Sequence, residues 1–244
     1  MKLHIINSNS DGNCYLFTDN KGETLIVECG VRFERIKQAL KFNLENVVGC
    51  IITHEHGDHC KGVKDAVKAG IDVYATAGTI AGFRFIHHRF NPMTKGSIYK
   101  LGSFNIIAFD THHDVNEPCG FLIKHEEMGT TLFLTDTIYC DYSFPGLNNV
   151  LIEANYSQDI IAEKLAGNRF LRNRVIQSHM SVETCIETLK ANDLRAVNNI
   201  VLIHLSDRNS DAKIFKQRIE DATLKTVTVA TAGLTIDNFN IHPF

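Results

Sequence analysis

The chain has 244 residues, of which 44% are hydrophobic and 22% are charged, a balance typical of a soluble globular protein with a full hydrophobic core. Its net charge of −3 excludes a general attraction to nucleic acid or to anionic membranes, and no apolar run is long enough for a membrane span or a signal peptide. The seven cysteines are odd in number and contain no Cys-x-x-Cys pair, which indicates reduced thiols in a cytoplasmic protein.

The order of predicted elements indicates an α/β fold. As far as Thr135, the sequence predicts helices at Phe33–Phe42 and Gly62–Ala69 and strands at Leu3–Asn7, Cys14–Thr18, Thr24–Glu28, Val47–Thr53, Phe104–Asp110, Gly120–His125 and Thr131–Thr135. Beyond it, strands at Asn149–Ile152, Ile200–His204 and Thr226–Ala230 alternate with helices near Gln158–Leu165, Val182–Asn192 and Ala212–Asp221. We therefore expect two packed sheets with helices on the outer faces. Since nothing marks a linker, we expect one domain over residues 1–244.

The segment His54–His59 carries the strongest functional signal, because it reads His-Glu-His-Gly-Asp-His directly after an apolar strand pattern. Imidazoles at positions i and i+2 share a side only in extended backbone, so His54 and His56 can bind one metal ion from the end of the strand. Gly57 allows the chain to turn, after which Asp58 and His59 can face a second ion. The helical zinc motif His-Glu-x-x-His fails here, because position 58 is Asp.

Further candidate ligands lie at the ends of three later strand patterns. The strand at 104–110 leads into His112 and His113, the strand at 131–135 into Asp136, and the strand at 200–203 into His204. Two ions held between such loops need three or four protein ligands each, mostly His and carboxylate. A histidine at the end of one strand is more often structural, but together with the His54–His59 motif these residues indicate a metal site.

These motifs resemble the metallo-β-lactamase superfamily, and within it the phosphodiesterase branch. The resemblance extends from Ser8 to about Asp211 and implies a four-layer αββα sandwich. It implies that one metal is bound by His54, His56 and His113 and the other by Asp58, His59 and His204, with Asp136 bridging the two. His113 is chosen over His112 because the family segment that resembles residues 113–121 begins His-Asp.

Two closer resemblances refine this reading. Residues 7–14 and 113–121 are similar to the WalJ/YycJ-type exonucleases, whereas residues 151–154, 178–181 and 204–208 are similar to the tRNA 3′-processing endonucleases of the tRNase Z family. The second resemblance implies that Glu153 and His179 form a pair that helps to protonate the leaving group. Most relatives carry Asp at the position of Glu28, and the exonuclease-type segment usually has His at the position of Tyr156.

The expected chemistry is hydrolysis of a phosphate ester. Two ions about 4 Å apart can activate water and contact both the attacking and the leaving oxygen. We expect two divalent ions, with Zn²⁺ favoured by the five histidines and two aspartates and Mn²⁺ as the alternative. The predicted catalytic residues are Glu153, His179 and Asp58, the last of which is also a metal ligand. For His179 the alternative is a capping or packing role before the helix at 182–192.

The substrate is less clearly indicated. Arg84, Arg89 and Arg172 are the candidate substrate-binding residues, since they lie in two basic segments with interspersed aromatic residues. Solvated loops or a helix at a homodimer interface are equally compatible with these segments.

The acidic net charge and the lack of a long tRNA-binding insertion favour a small 3′,5′-cyclic nucleotide, as in the phage anti-Pycsar phosphodiesterases. A WalJ/YycJ-like DNA exonuclease follows by a small margin. A tRNA 3′-processing endonuclease, a β-lactam or thioester hydrolase, and a non-catalytic binding protein of the same fold are less favoured, the last because all seven expected ligands are present.

Overall fold

The computed structural model describes residues 1–242 and contains two seven-stranded sheets. The first sheet has the order β14-β1-β2-β3-β4-β5-β6. Its strands are β1 (Lys2–Asn9), β2 (Gly12–Thr18), β3 (Thr24–Val27), β4 (Val47–Ile51), β5 (Val73–Thr76), β6 (Phe90–Met93) and β14 (Thr235–Ile236). The second sheet has the order β13-β12-β11-β10-β9-β8-β7. Its strands are β7 (Ile98–Leu101), β8 (Phe104–Asp110), β9 (Cys119–His125), β10 (Gly129–Leu134), β11 (Leu147–Glu153), β12 (Asn199–Ile203) and β13 (Val227–Val229).

Eight helices connect these strands within the described residues. They are α1 (Phe33–Ala39), α2 (Gly57–Cys60), α3 (Val63–Lys68), α4 (Ala77–Gly82), α5 (Gln158–Lys164), α6 (Arg169–Ser178), α7 (Val182–Lys190) and α8 (Ala212–Thr223). None of the helices between residues 1 and 242 has the length and apolar character that crossing a bilayer requires. All seven cysteines are free thiols.

Alternating side chains of the central strands build three apolar layers. Leu25 and Val27 of β3 and Leu151 of β11 belong to the cluster between the two sheets, whereas Ile26 faces α1 and α3 and Val150 faces α7 and α8. This alternation is the ordinary period of two in a strand. The layers are therefore helix, sheet, sheet and helix, and the predicted αββα sandwich is confirmed.

Parallel pairing brings several strand ends to one edge of each sheet. In the first sheet β3 pairs in parallel with β4. In the second sheet β10, β11 and β12 are mutually parallel neighbours. Since the carboxyl ends of parallel strands lie at the same edge, the residues that follow β10, β11 and β12 are close together. The site described next lies at these edges.

Candidate metal centre

The His54–His59 motif turns sharply after β4. His54 and His56 lie in non-helical backbone, and His56, with φ −61° and ψ 146°, directly precedes the single-turn helix α2. This helix begins at Gly57 and includes Asp58 and His59. The extended stretch presents two imidazoles to one side, and the turn presents the next carboxylate and imidazole beside them.

One group of donor atoms consists of three imidazole nitrogens. His56 Nδ1 is 3.2 Å from His54 Nε2 and 3.1 Å from His113 Nε2. Tetrahedral coordination with Zn–N bonds of 2.0–2.1 Å places ligand atoms about 3.3 Å apart. The spacing of the three nitrogens therefore fits a single metal ion.

A second group joins carboxylate and imidazole atoms. Asp58 Oδ2 is 3.4 Å from His59 Nε2 and 3.2 Å from His204 Nε2. Asp136 Oδ2 is 3.1 Å from His59 Nε2 and 3.8 Å from His204 Nε2. Asp136 also groups with His54 and His59 within 4.8 Å, so its carboxylate lies between the two sets of donors.

The chemistry of these donors fits metal binding. The imidazoles of His54, His59 and His204 are buried. In the first group, ring nitrogens face one another at hydrogen-bond distance, and a metal cation would bind such a set more favourably than a shared proton would. Asp136 and His204 also have left-handed backbone, with φ of 48° and 53°. Such strain is maintained mainly at functional sites.

The two groups differ in electrostatics. Burial lowers the pKa of His54 well below its usual value, and the neighbouring His59 adds to the effect. For His204, burial also acts to lower the pKa, but Asp136, Asp58 and Glu153 outweigh it and raise the pKa to about 10. Burial therefore favours the neutral, metal-binding form of the His54 imidazole, whereas His204 belongs to an ion-paired network.

Glu28 and Thr53 contact the imidazoles of two donor residues, His54 and His59. Thr53 Oγ1 donates to Glu28 Oε1 over 2.5 Å and lies 2.9 Å from His54 Nδ1. The hydroxyl oxygen can therefore accept a hydrogen bond from His54 Nδ1–H, which leaves Nε2 free for metal. Glu28 Oε2 is 3.5 Å from His59 Nδ1. Glu28 thus orients two donors without being one. Thr53 was not predicted from sequence, where nothing distinguishes it from an ordinary strand threonine.

Glu153 links a donor histidine to the cleft. Its Oε1 is 2.7 Å from His179 Nδ1 and 3.1 Å from His204 Nδ1, and its Oε2 accepts from the Met180 backbone N–H. The carboxylate orients both imidazoles, with His204 Nε2 directed to Asp58 and His179 Nε2 left without a Glu153 contact. His179 is partly exposed and lines the cleft.

An open cleft lies over the donors. It is lined by His56, Asp58, His113, Asp136, His179 and His204, and by polar residues of the surrounding loops. Arg174, Leu171 and Ser178 of α6 form one side. His112 lies apart from the donors, where it stacks on Tyr139 and pairs with Asp141.

The three arginines predicted to bind substrate do not line this cleft. Arg84 lines a separate apolar pocket with Ile80 and Phe85, and Arg89 pairs with Asp72 at 2.8 Å. Arg172 is on α6 but outside the cleft lining, which includes Arg174 instead. The missed signal was the helical spacing of Leu171, Arg174 and Ser178, which places these residues on one face of α6.

Comparison with known proteins agrees with this geometry. Residues 25–205 match the family described as the Beta-lactamase superfamily domain. The chain is 28% identical to the exodeoxyribonuclease WalJ of Streptococcus pneumoniae serotype 2 over 256 aligned residues, which cover 97% of this chain and 91% of WalJ.

Two solved structures show the same fold. The metallo-beta-lactamase fold protein YhfI from Bacillus subtilis has a TM-score of 0.73 at 16% identity and covers 97% of this chain and 98% of its own. The short form of human tRNase Z has a TM-score of 0.64 at 15% identity, with 97% and 99% coverage. With its family match, its fold and its cluster of His and Asp donors, the chain belongs to the metallo-β-lactamase superfamily and is a metal-dependent hydrolase.

Proposed function

We propose that this protein is a dinuclear metal phosphodiesterase that removes nucleotides from the ends of DNA strands. His54, His56 and His113 would bind one ion and Asp58, His59 and His204 the other, with Asp136 between them. Zn²⁺ suits this set of five imidazoles and two carboxylates, and Mn²⁺ is the alternative. Bound ions would supply activated water and stabilise charge on the phosphate.

The observation that carries the proposal is the Glu153–His179 pair at the edge of the donor cluster. An alkoxide leaving group needs a proton, and an imidazole facing the cleft is suited to donate one. Glu153 accepts from His179 Nδ1 at 2.7 Å, which leaves the Nε2–H as the atom that can reach a leaving oxygen. A thioester hydrolase has less need of such a donor, because a thiolate leaves without being protonated.

Similarity to a DNA-acting relative supports the choice of substrate. The match to exodeoxyribonuclease WalJ spans 97% of this chain and 91% of WalJ, so the alignment is not confined to the strands of the sheets. Residues 7–14, which resemble that group, also support the centre: the Ser8 hydroxyl accepts from the His204 backbone N–H at 3.0 Å, and Asn13 donates to the Asp58 carbonyl.

A small 3′,5′-cyclic nucleotide is the second candidate. Its support is that Arg174 is the one Lys or Arg among the described residues lining the cleft, and that the chain carries a net charge of −3. One basic residue is enough to bind a single phosphate, whereas long nucleic acids are usually held by several phosphate contacts.

Comparing rates on the two substrate classes in one buffer tests the proposal. Purified protein would be incubated with Zn²⁺ or Mn²⁺ and either end-labelled DNA, single-stranded and duplex, or a panel of cyclic mononucleotides. We expect stepwise shortening of DNA, abolished in Asp136→Ala. Rapid opening of cyclic nucleotides with DNA left intact would reject the exonuclease and support the second candidate.

A further inference from the structure

Helix α6 carries positive charge that the protein itself does not neutralise. Its ten residues include Arg169, Arg172 and Arg174 and no acidic residue. All three arginines are exposed, and none of them forms an ion pair with any residue from 1 to 242. By contrast, Arg195 and Arg218 pair with Asp193 and Glu183 at 2.6 and 2.8 Å. The charge of α6 is therefore available to an anionic ligand.

These charges do not serve the stability of the helix. Arg169 and Arg172 stand in its first turns, where the positive end of the helix dipole disfavours cations. The apolar anchoring of α6 is also modest, since Val175 and Ile176 pack on a small cluster with Tyr156 and Ile161. Phe170 is left 82% exposed, although an aromatic ring of this size is usually buried.

The cleft and the exposed aromatic ring meet at Arg174. Leu171, Arg174, Val175 and Ser178 recur at the spacing of one helix face, and all four line the cleft. Phe170 is four residues before Arg174, so the two side chains are neighbours on the helix surface. A guanidinium at the lip of the cleft thus stands beside an exposed ring.

The same helix fixes the position of the proton donor. It ends at Ser178, and His179 is its C-cap. The Ser178 hydroxyl donates to Asp114 Oδ1 at 3.1 Å, which ties the helix end to the loop that holds His113. Arg174 lies about one helical turn, roughly 6 Å, before Ser178. This separation is comparable with one nucleotide step of an extended strand.

We propose that Arg174 and Phe170 bind the nucleotide next to the scissile bond, with the guanidinium on its phosphate and the ring stacked on its base. The inference rests on the proposed action on DNA strands and defines which part of the substrate α6 holds. Guanidinium groups suit phosphate oxygens, and aromatic stacking accepts any base, as expected for an enzyme that degrades DNA of any sequence.

Binding of a nuclease-resistant phosphorothioate oligothymidylate to the metal-loaded protein tests this site. Fluorescence anisotropy would give the affinity at several salt concentrations. Arg174→Gln should weaken binding at least tenfold at low salt and reduce the slope of log affinity against log salt by about 0.7, the value for one phosphate contact on a single strand. Phe170→Leu should weaken binding about fivefold or more and leave the slope unchanged.

Arg195→Gln is the matched control, because it removes the same charge from a surface arginine outside the cleft. Equal affinities and slopes for Arg174→Gln and Arg195→Gln, with DNA degradation by the wild type intact, would overturn the α6 site and leave the exonuclease proposal standing. A wild-type protein that opens cyclic nucleotides but neither binds nor degrades DNA would overturn both.

Discussion

The buried carboxylate of Glu153 has two partners with different roles. Oε1 contacts both His204, a candidate metal ligand, and His179, which faces the cleft. Oε2 accepts a backbone N–H and is therefore fixed in orientation. The proposed metal binding and leaving-group protonation would therefore both depend on this one side chain, and changing its partners would separate the two functions.

Replacing His179 with Ala should slow the hydrolysis of diesters with alkoxide leaving groups, because a positioned general acid is typically worth about 10²–10⁴-fold. The loss should be much smaller on bis(p-nitrophenyl) phosphate, whose leaving group needs little protonation. Metal content should remain normal, as measured by elemental analysis. Equal losses on both substrates would assign His179 a structural role.

Replacing Glu153 with Gln should affect both functions, since Glu153 also contacts His204. We expect the loss on alkoxide esters to be accompanied by a fall in metal affinity of about 10–100-fold, which is typical when the partner of a ligand is removed. Titration with a competing chelator would measure it. Unchanged metal affinity would mean that the contact with His204 is not needed to orient this ligand.

Asp136→Ala should have the largest effect among single ligand variants. Its carboxylate lies within reach of donors in both groups, so its loss affects both proposed ions and exposes their charges to each other. Elemental analysis should find less than the wild-type metal content, and turnover should fall below that of His113→Ala. Wild-type turnover in Asp136→Ala would rule out a bridging role.

At the scale of elements, the conformation of the His54–His59 motif depends on the segment that follows β3. The Cys29 backbone N–H donates to the His59 carbonyl at 2.8 Å, and the Gly62 N–H donates to the Cys29 carbonyl at 2.7 Å. A Cβ at Gly30 would lie 1.5 Å from the Asp58 carbonyl oxygen. The loop can therefore approach this segment only because position 30 has no side chain.

Gly30→Ala should displace Asp58 and His59 and lower both metal content and the free energy of unfolding. Overpacking lowers the free energy of unfolding by about 1–3 kcal/mol where neighbours can move. Because the added Cβ would meet the Asp58 backbone, we expect a loss at or above the upper end of this range. Gly167→Ala is the control, because a Cβ there meets nothing within 4 Å. Normal metal content and thermal stability in Gly30→Ala would contradict this account of the loop.

Elements with strong periodicity could be predicted from the sequence, and those that depend on neighbours could not. Strand β6 includes Pro92 and lies at a sheet edge, so its pattern is weak. Helix α6 lacks a wide apolar face, since Phe170 is exposed and only Val175 and Ser178 are buried. The His54–His59 motif indicated metal chemistry because its spacing is local, whereas Thr53 depends on a contact with Glu28, 25 residues away in the sequence. The face of α6 that carries Arg174 can be recognised from its spacing only once that helix is known.

At the scale of the molecule, the candidate centre connects the two sheets. Asp58 and His59 follow β4 of the first sheet, whereas Asp136 and His204 follow β10 and β12 of the second. His59 and Asp136 nonetheless approach to 3.1 Å. Bound ions would therefore cross-link the two halves of the sandwich, and their binding energy would add to the stability of the folded state.

Removing the metal should lower the melting temperature of the wild-type protein. A ligand at 100 times its dissociation constant stabilises the folded state by about 2.7 kcal/mol, and for a chain of this size each kcal/mol shifts the melting temperature by about 2–4 °C. We expect a decrease of about 5–10 °C after chelation, measured by differential scanning calorimetry and reversed by added Zn²⁺. Asp136→Ala should show a much smaller decrease, because its centre is already weakened. If chelation left the wild-type melting temperature unchanged while removing the metal, the ions would contribute to catalysis without cross-linking the sheets.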